Sequence, residues 1–264
     1  MNLCRADKVL IGGAAAVLGS SAVFGAGAVS VGVPLCALLA TMVDGIFRPS
    51  SSVFYPTISS VATTNRSISL TFDDGPHPET TPRVLDVLAK YSAKATFFVI
   101  GKHVEAHRSV AERIVAEGHE LGNHSWQHSY RQNVQRGGAM AAEVVRGADS
   151  IRSITGQDTQ PLYRAPVGIK SPELARVAHK LDLTIVAWSI HSRDTIDSNA
   201  SRVAGRVLGA RPGAIALLHD GHEHVGRVRT NALAALPPIL EGLRARNLSS
   251  VTVSDLIATG TPEG

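Results

Sequence analysis

The sequence predicts an α/β protein, a distorted (β/α) barrel of the TIM type, carried behind an N-terminal transmembrane segment. Three observations predict it. Short apolar strands alternate with helical periodicity between residues 67 and 253. Polar clusters fall where strands give way to loops, and an uncharged run precedes the whole alternation. Strand after helix after strand argues for a parallel sheet with helices outside. An open, doubly wound sheet is the other arrangement of the same elements.

The uncharged run comes first. Residues 9–43, VLIGGAAAVLGSSAVFGAGAVSVGVPLCALLATMV, hold no charged side chain over 35 positions, where one spanning helix needs about 20. A single tilted or glycine-loosened span within residues 1–47 is the expectation. Arg5 and Lys8 precede it and point to a cytoplasmic N-terminus, so one span anchors the remainder in the periplasm or outside the cell. A tight hairpin through GAGAVSVGVP would return the domain to the cytoplasm, with each half short. A cleaved signal sequence is a third arrangement, although the run exceeds the usual signal core of about 7–15 residues. Both cysteines, Cys4 and Cys36, lie in this segment. The rest of the chain is therefore neither disulfide-stapled nor a cysteine-ligated zinc site.

Residues 48–66 are rich in Ser and Thr and read as a linker, residues 67–258 as the catalytic body, and residues 259–264 as a short tail. SISLTF (67–72) alternates as a strand does, and TTPRVLDVLAKY (80–91) has helical periodicity with Pro82 near its start. KATFFVI (94–100) is the next strand and RSVAERIVAEG (108–118) the next helix, stopped by Gly118. Further helices are expected at 138–154, 172–181, 198–209 and 229–245, with strands at 183–188, 213–219 and 249–253. The chain's hydrophobic content of 44% supports a core. Beyond residue 50, 23 Lys and Arg face 20 Asp and Glu, too even a balance for a nucleic-acid partner. Oligomeric state is not fixed by these features.

In a barrel the chemistry sits where strands end. FDDG follows the first strand, YRAP occupies 163–166, and LHDG occupies 218–221. GNHSWQH lies after Gly118. Asp73 and Asp74 are adjacent carboxylates that repel one another, a costly arrangement unless a cation or an arginine joins them. An Asp-Gly turn with both carboxylates in water is the plainer alternative. His124 and His128 stand four apart, which on a helical turn would aim both imidazoles one way. With Asp74 they compose a two-imidazole, one-carboxylate set suited to Zn²⁺, and also to Co²⁺, Ni²⁺ or Fe²⁺.

TFDDGPHPETTPRVLDVL, GHELGNHSWQH, YRAPVG and IALLHDG occur here in one order. In that order and spacing they resemble the polysaccharide deacetylases of the NodB-homology type, carbohydrate esterase family 4, over about residues 66–256. The resemblance implies a distorted (β/α) barrel that removes acetyl groups from glycans with one divalent metal. It makes Asp73 the general base, and Asp74, His124 and His128 the metal ligands. It also makes Arg164 the partner of Asp73, His219 the general acid, and Leu217 and Trp188 the walls of an acetyl pocket.

Two departures stand out. Val167 replaces an aromatic residue that is common after the motif's proline, keeping the backbone N–H but losing a sugar-stacking surface. In WSIHSRDT the family's D-x-x-D-W-like stretch is altered, with His191 at its first acidic position and Thr195 where Trp is common. Asp194 then either orients His219 or leaves that role unfilled. His77, His222 and His224 lie in polar loops near the expected mouth, and His103, His107, His119 and His179 read as helix-surface or capping residues. Arg227 and Arg229 read as a solvated loop or helix start, or as contacts for a lipid phosphate. The implied activity is deacetylation of an N-acetylated glycan. The alternatives are a deacetylase or deformylase of a lipid-linked sugar or small amide, and a catalytically silent glycan-binding protein.

Overall fold

The computed structural model describes residues 3–25, 27–129, 131, 138–157, 162–224 and 227–264. The uncharged run forms two helices rather than the single span expected, α1 (Arg5–Phe24) and α2 (Ala28–Phe47), each 20 residues long. Gly25, at φ 77°, breaks the run near its middle. A left-handed backbone costs glycine little and ends a helix there. Each helix recruits flanking residues, Arg5 to Lys8 in α1 and Asp44 to Phe47 in α2, so neither half is short. At 20 residues each helix is about 30 Å long, enough to cross a hydrocarbon core.

The strands are β1 (Thr57–Ile58), β2 (Ser60–Ala62), β3 (Ser67–Asp73), β4 (Ala95–Val99), β5 (Glu120–Asn123), β6 (Ile185–Val186), β7 (Ile190–His191), β8 (Ile215–His219), β9 (Ser249–Ser250) and β10 (Thr261–Glu263). The helices of the body are α3 (Thr80–Lys90), α4 (Gly101–Ala106), α5 (Arg108–Ala116), α6 (Ala139–Thr155), α7 (Pro172–Leu181), α8 (Ala200–Leu208), α9 (Asn231–Ala245) and α10 (Val253–Ile257). Five strands run parallel in the order β5-β4-β3-β8-β7. Tyr163 bridges β5 at Asn123 and β6 at Ile185, and β6 pairs with β1, so the wall continues past β5. Strands of only two residues at β1, β6 and β7 account for the distortion of the barrel. Residues expected as linker and tail pair with each other, β2 against β10, with Glu263 opposite Ser60.

The alternation in SISLTF has a barrel's meaning. Every residue of β3 is buried. Ile68, Leu70 and Phe72 join the large core cluster with α3, α8 and α9, as do Phe97 and Leu218 from the neighbouring strands. The intervening Ser69, Thr71 and Asp73 are also buried, on the opposite face of the strand. Side chains on that face converge on the strands' carboxyl ends, where Asp73 pairs in register with His219 of β8 and Phe98 of β4.

The helical pair is docked on this body at both of its free ends. Cys4 and Ala6 are buried with Phe54 and Ala175. Arg176 of α7 donates to Asp7 at 2.9 Å. At the other end Lys170 donates from its backbone N–H to Ile46 O at 3.2 Å and from Nζ to Pro49 O at 2.7 Å.

Candidate active site

Two glycines let the strand ends close on each other. A Cβ at Gly75 would lie 2.5 Å from Asp220 Oδ2, and one at Gly221 would lie 2.2 Å from the carbonyl oxygen of Asp74. The DDG and HDG motifs therefore interlock, each needing a glycine where the other approaches. Asp74 sits at φ 72°, a conformation rare for a non-glycine residue. His103, buried in α4 and not on a helix surface as expected, holds it by donating from Nδ1 to the Asp74 carbonyl at 3.0 Å. Burial pushes His103 down to about 4, so the ring is neutral at neutral pH.

The two histidines of GNHSWQH do not lie on a helix. β5 ends at Asn123, and His124 still donates its N–H to Val99 O at 2.9 Å. The chain then turns through Ser125 (φ 68°) and His128 (φ 55°). Asn123 Oδ1 accepts from the Ser125 N–H at 2.9 Å, and Ser125 Oγ accepts from the His128 N–H at 3.0 Å. This turn brings the two rings to 4.9 Å between centroids. Trp126 packs beneath Arg146, buried, and does not line the catalytic cavity.

Asp74 Oδ1 lies 3.3 Å from His128 Nε2 and 3.6 Å from His124 Nε2. His124 Nδ1 is 2.9 Å from Arg164 O. A carbonyl only accepts, so Nδ1 carries the proton and the Nε2 lone pair faces Asp74. Burial, with His128 alongside, pushes His124 down to about 3, fixing the neutral, ligating form. Asp74 Oδ1 is buried and accepts no hydrogen bond among the described residues. An orphaned anionic oxygen against two imidazole nitrogens, with all three donor atoms within 4.8 Å of one another, fits a divalent cation.

Arg164 is fully enclosed. Its Nη1 donates to Asp73 Oδ1 and Thr71 Oγ1, each at 2.7 Å, and its Nη2 donates to Ala187 O at 2.9 Å. Its guanidinium carbon stacks 3.9 Å from the Phe98 ring centre. Asp73 is thus held at one oxygen, and its other oxygen lies 3.7 Å from His124 Nε2. In the segment after β7, Asp194 grips His219 of the neighbouring strand β8 twice, accepting from its backbone N–H at 2.9 Å and from Nδ1 at 3.0 Å. Ser192 Oγ donates to Asp194 at 2.7 Å, and Asn231 donates to the Asp194 carbonyl at 2.7 Å. Burial opposes a charge on His219, but Asp194 beside it, with Asp74 and Asp73 further off, outweighs burial and raises it to about 9.

A cavity of about 370 Å³ is lined by Asp73, Asp74, His124, His128 and His219, with Leu217, Trp188 and Val167 around them. The residues to which the resemblance gives the base, metal-ligand, acid and pocket roles therefore meet at one place, with Arg164 and Asp194 directly behind. His191 and Thr195 also line it. Sequence reasoning did not join Arg229 to Asp74. Its Nη1 donates to Asp74 Oδ2 at 2.7 Å and its Nη2 to Glu223 Oε2 at 3.4 Å, so it is no solvated loop residue. A buried carboxylate with one oxygen turned to a cation needs a donor on the other, and that need was the available signal. His77 lies outside the cavity lining and accepts from the Glu79 N–H at 3.2 Å.

A parallel barrel with a carboxylate–arginine pair, a carboxylate–imidazole pocket and a carboxylate-gripped histidine has the parts of a hydrolase site. Residues 60–186 match the family model described as polysaccharide deacetylase. A chitooligosaccharide deacetylase of Bradyrhizobium is 42% identical over 158 residues, 60% of this chain and 72% of the relative. A peptidoglycan-N-acetylglucosamine deacetylase of Bacillus cereus is 34% identical over 200 residues, 75% of this chain and 91% of the relative. A crystal structure of a peptidoglycan N-acetylglucosamine deacetylase in complex with 4-naphthalen-1-yl-N-oxidanyl-benzamide superposes with a TM-score of 0.69 at 27% identity, covering 78% of this chain and 95% of that one. The chain belongs to the polysaccharide deacetylase family, of the NodB-homology type, and is a hydrolase of carbon–nitrogen bonds other than peptide bonds.

Proposed function

We propose that the protein is a metal-dependent deacetylase of N-acetylated saccharides, tethered to a membrane by α1 and α2. The buried, unpartnered Oδ1 of Asp74 between two imidazoles carries the reading. Asp74, His124 and His128 hold one divalent cation, Zn²⁺ before Co²⁺, Ni²⁺ or Fe²⁺, which supplies Lewis acidity toward the amide carbonyl and lowers the pKa of water. Asp73 takes the proton of the attacking water, and Arg164 keeps that carboxylate ionised and aimed. The Val167 N–H is the backbone donor for the developing oxyanion. As the carbon–nitrogen bond breaks, His219 gives its proton to the departing nitrogen, since an amine anion is too poor a leaving group to depart alone. Asp194 keeps His219 protonated and oriented until then. Water and amide are consumed; acetate and amine form. Trp188 and Leu217 enclose the acetyl methyl.

The docking of both helix ends on the body supports a two-crossing anchor. Residue 4 and the barrel share one side of a bilayer that α1 and α2 cross. Arg5, Lys8 and Arg48 all flank that shared end, whereas the described turn residues Gly25 and Gly27 carry no charge, which favours the cytoplasmic face for the shared end.

Metal-loaded protein is expected to release acetate from N-acetylglucosamine oligomers and to stop when a chelator is added. Folded, metal-loaded protein that releases none from a broad panel of N-acetylated saccharides overturns the proposal.

A further inference from the structure

Beyond residues 3–47, the large apolar side chains exposed among the described residues are Val167, Ile196 and Val228, at 44%, 82% and 46%. Two of them share one mouth, and the third is next in sequence to a residue of it. Val167 and Ile196 line the catalytic cavity, and Val228 adjoins Arg229, which lines it too. They come from three separate segments, after Tyr163, after β7 and before α9. Single exposed aliphatics need no explanation, but two on the cavity itself and a third beside one of its residues do. Saccharides are met by aromatic faces and hydrogen-bonding groups; branched methyls offer a sugar neither. They suit a hydrocarbon chain.

The membrane-crossing pair ends beside the same rim. Phe47, 64% exposed, closes α2. Two residues on, Pro49 packs against Gly168, the neighbour of Val167. A Cβ at Gly168 would lie 2.8 Å from Pro49 and 2.7 Å from Trp188, so the end of the anchor, the Val167 loop and the cavity wall form one packed unit.

We propose that the catalytic cavity opens at the bilayer surface, and that its substrate is an N-acetylated saccharide carried on a membrane-embedded lipid whose chain meets the Val167, Ile196 and Val228 rim. The proposal rests on the deacetylase reading above and narrows its substrate. The test uses the full chain reconstituted in phosphatidylcholine vesicles. Diacetylchitobiose is supplied either on a polyprenyl diphosphate within the vesicles or free in solution beside them. The lipid-linked form is expected to give a kcat/KM higher by about tenfold or more. In an Ile196→Ser/Val228→Ser variant the ratio of the two rates falls toward one, and the free-sugar rate reports that the variant is folded. Equal or lower kcat/KM for the lipid-linked form, or a ratio unmoved in the variant, overturns this inference while leaving deacetylation intact. Release from neither substrate by metal-loaded protein overturns the deacetylase reading, and this inference with it.

Discussion

Asp73 and Asp74 are neighbours in sequence with opposite assignments, set by what each oxygen touches. Arg164 claims one oxygen of Asp73, while Arg229 claims one of Asp74 and leaves its other bare. Asp73→Asn keeps the shape and removes the base; acetate release is expected to fall about 10²–10⁴-fold, with metal content by elemental analysis unchanged. Retained turnover would favour some other base, and a wild type with no turnover at all would favour a silent binding protein. Arg229→Ala is expected to weaken metal binding about 10–100-fold in chelator competition, with Arg229→Lys restoring part of it. His219 carries the pH prediction. Raised to about 9, it is protonated at neutral pH, and the acid is lost as pH climbs through that value. Asp194→Asn removes the largest charge that raises it and leaves burial, which lowers it. The basic limb of the kcat profile therefore moves down from near pH 9 toward or below the ordinary histidine value. A limb that stays in place would exclude His219 as the acid.

At the scale of elements, the strands and helices of the body were largely legible, because apolar periodicity survives inside a barrel. What β3 hid was direction. Its alternation reads as core against solvent, yet Ser69 and Thr71 are buried on the opposite face from Ile68, Leu70 and Phe72. The HxxxH gap suggested a helix, but the Asn123 and Ser125 side chains build a turn no periodicity encodes. In sequence Arg229 and His103 read as a loop or phosphate-binding residue and a helix-surface residue, because their partner is remote, Asp74 being 155 and 29 residues away. Asp194 was legible as a candidate only, since its grip on His219 depends on how the segment after β7 folds back. The interlocked motif glycines give a prediction at this scale. Gly221→Ala forces a methyl onto the Asp74 carbonyl and is expected to cost about 1–3 kcal/mol, read as a fall of several degrees in Tm. An unchanged Tm would mean that β3 and β8 part easily.

For the whole molecule, the question is how an apolar helical pair and a polar catalytic barrel share one chain. The 35-residue uncharged run was legible as apolar and long enough to cross a membrane, with one span expected, but the break at Gly25 divides it into two helices. The docked ends predict that reporters fused at residue 1 and after residue 264 fall on the same side of the membrane; opposite sides would contradict the pair as a two-span anchor. The most direct measurement of the central claim is a titration of Zn²⁺ into metal-stripped protein while acetate release from N-acetylglucosamine oligomers is followed. Activity is predicted to rise from none to a plateau at one equivalent per chain, with acetate and free amine formed in equal amounts and no such rise for His124→Ala. Full activity without added metal, or an equal response in His124→Ala, would contradict it.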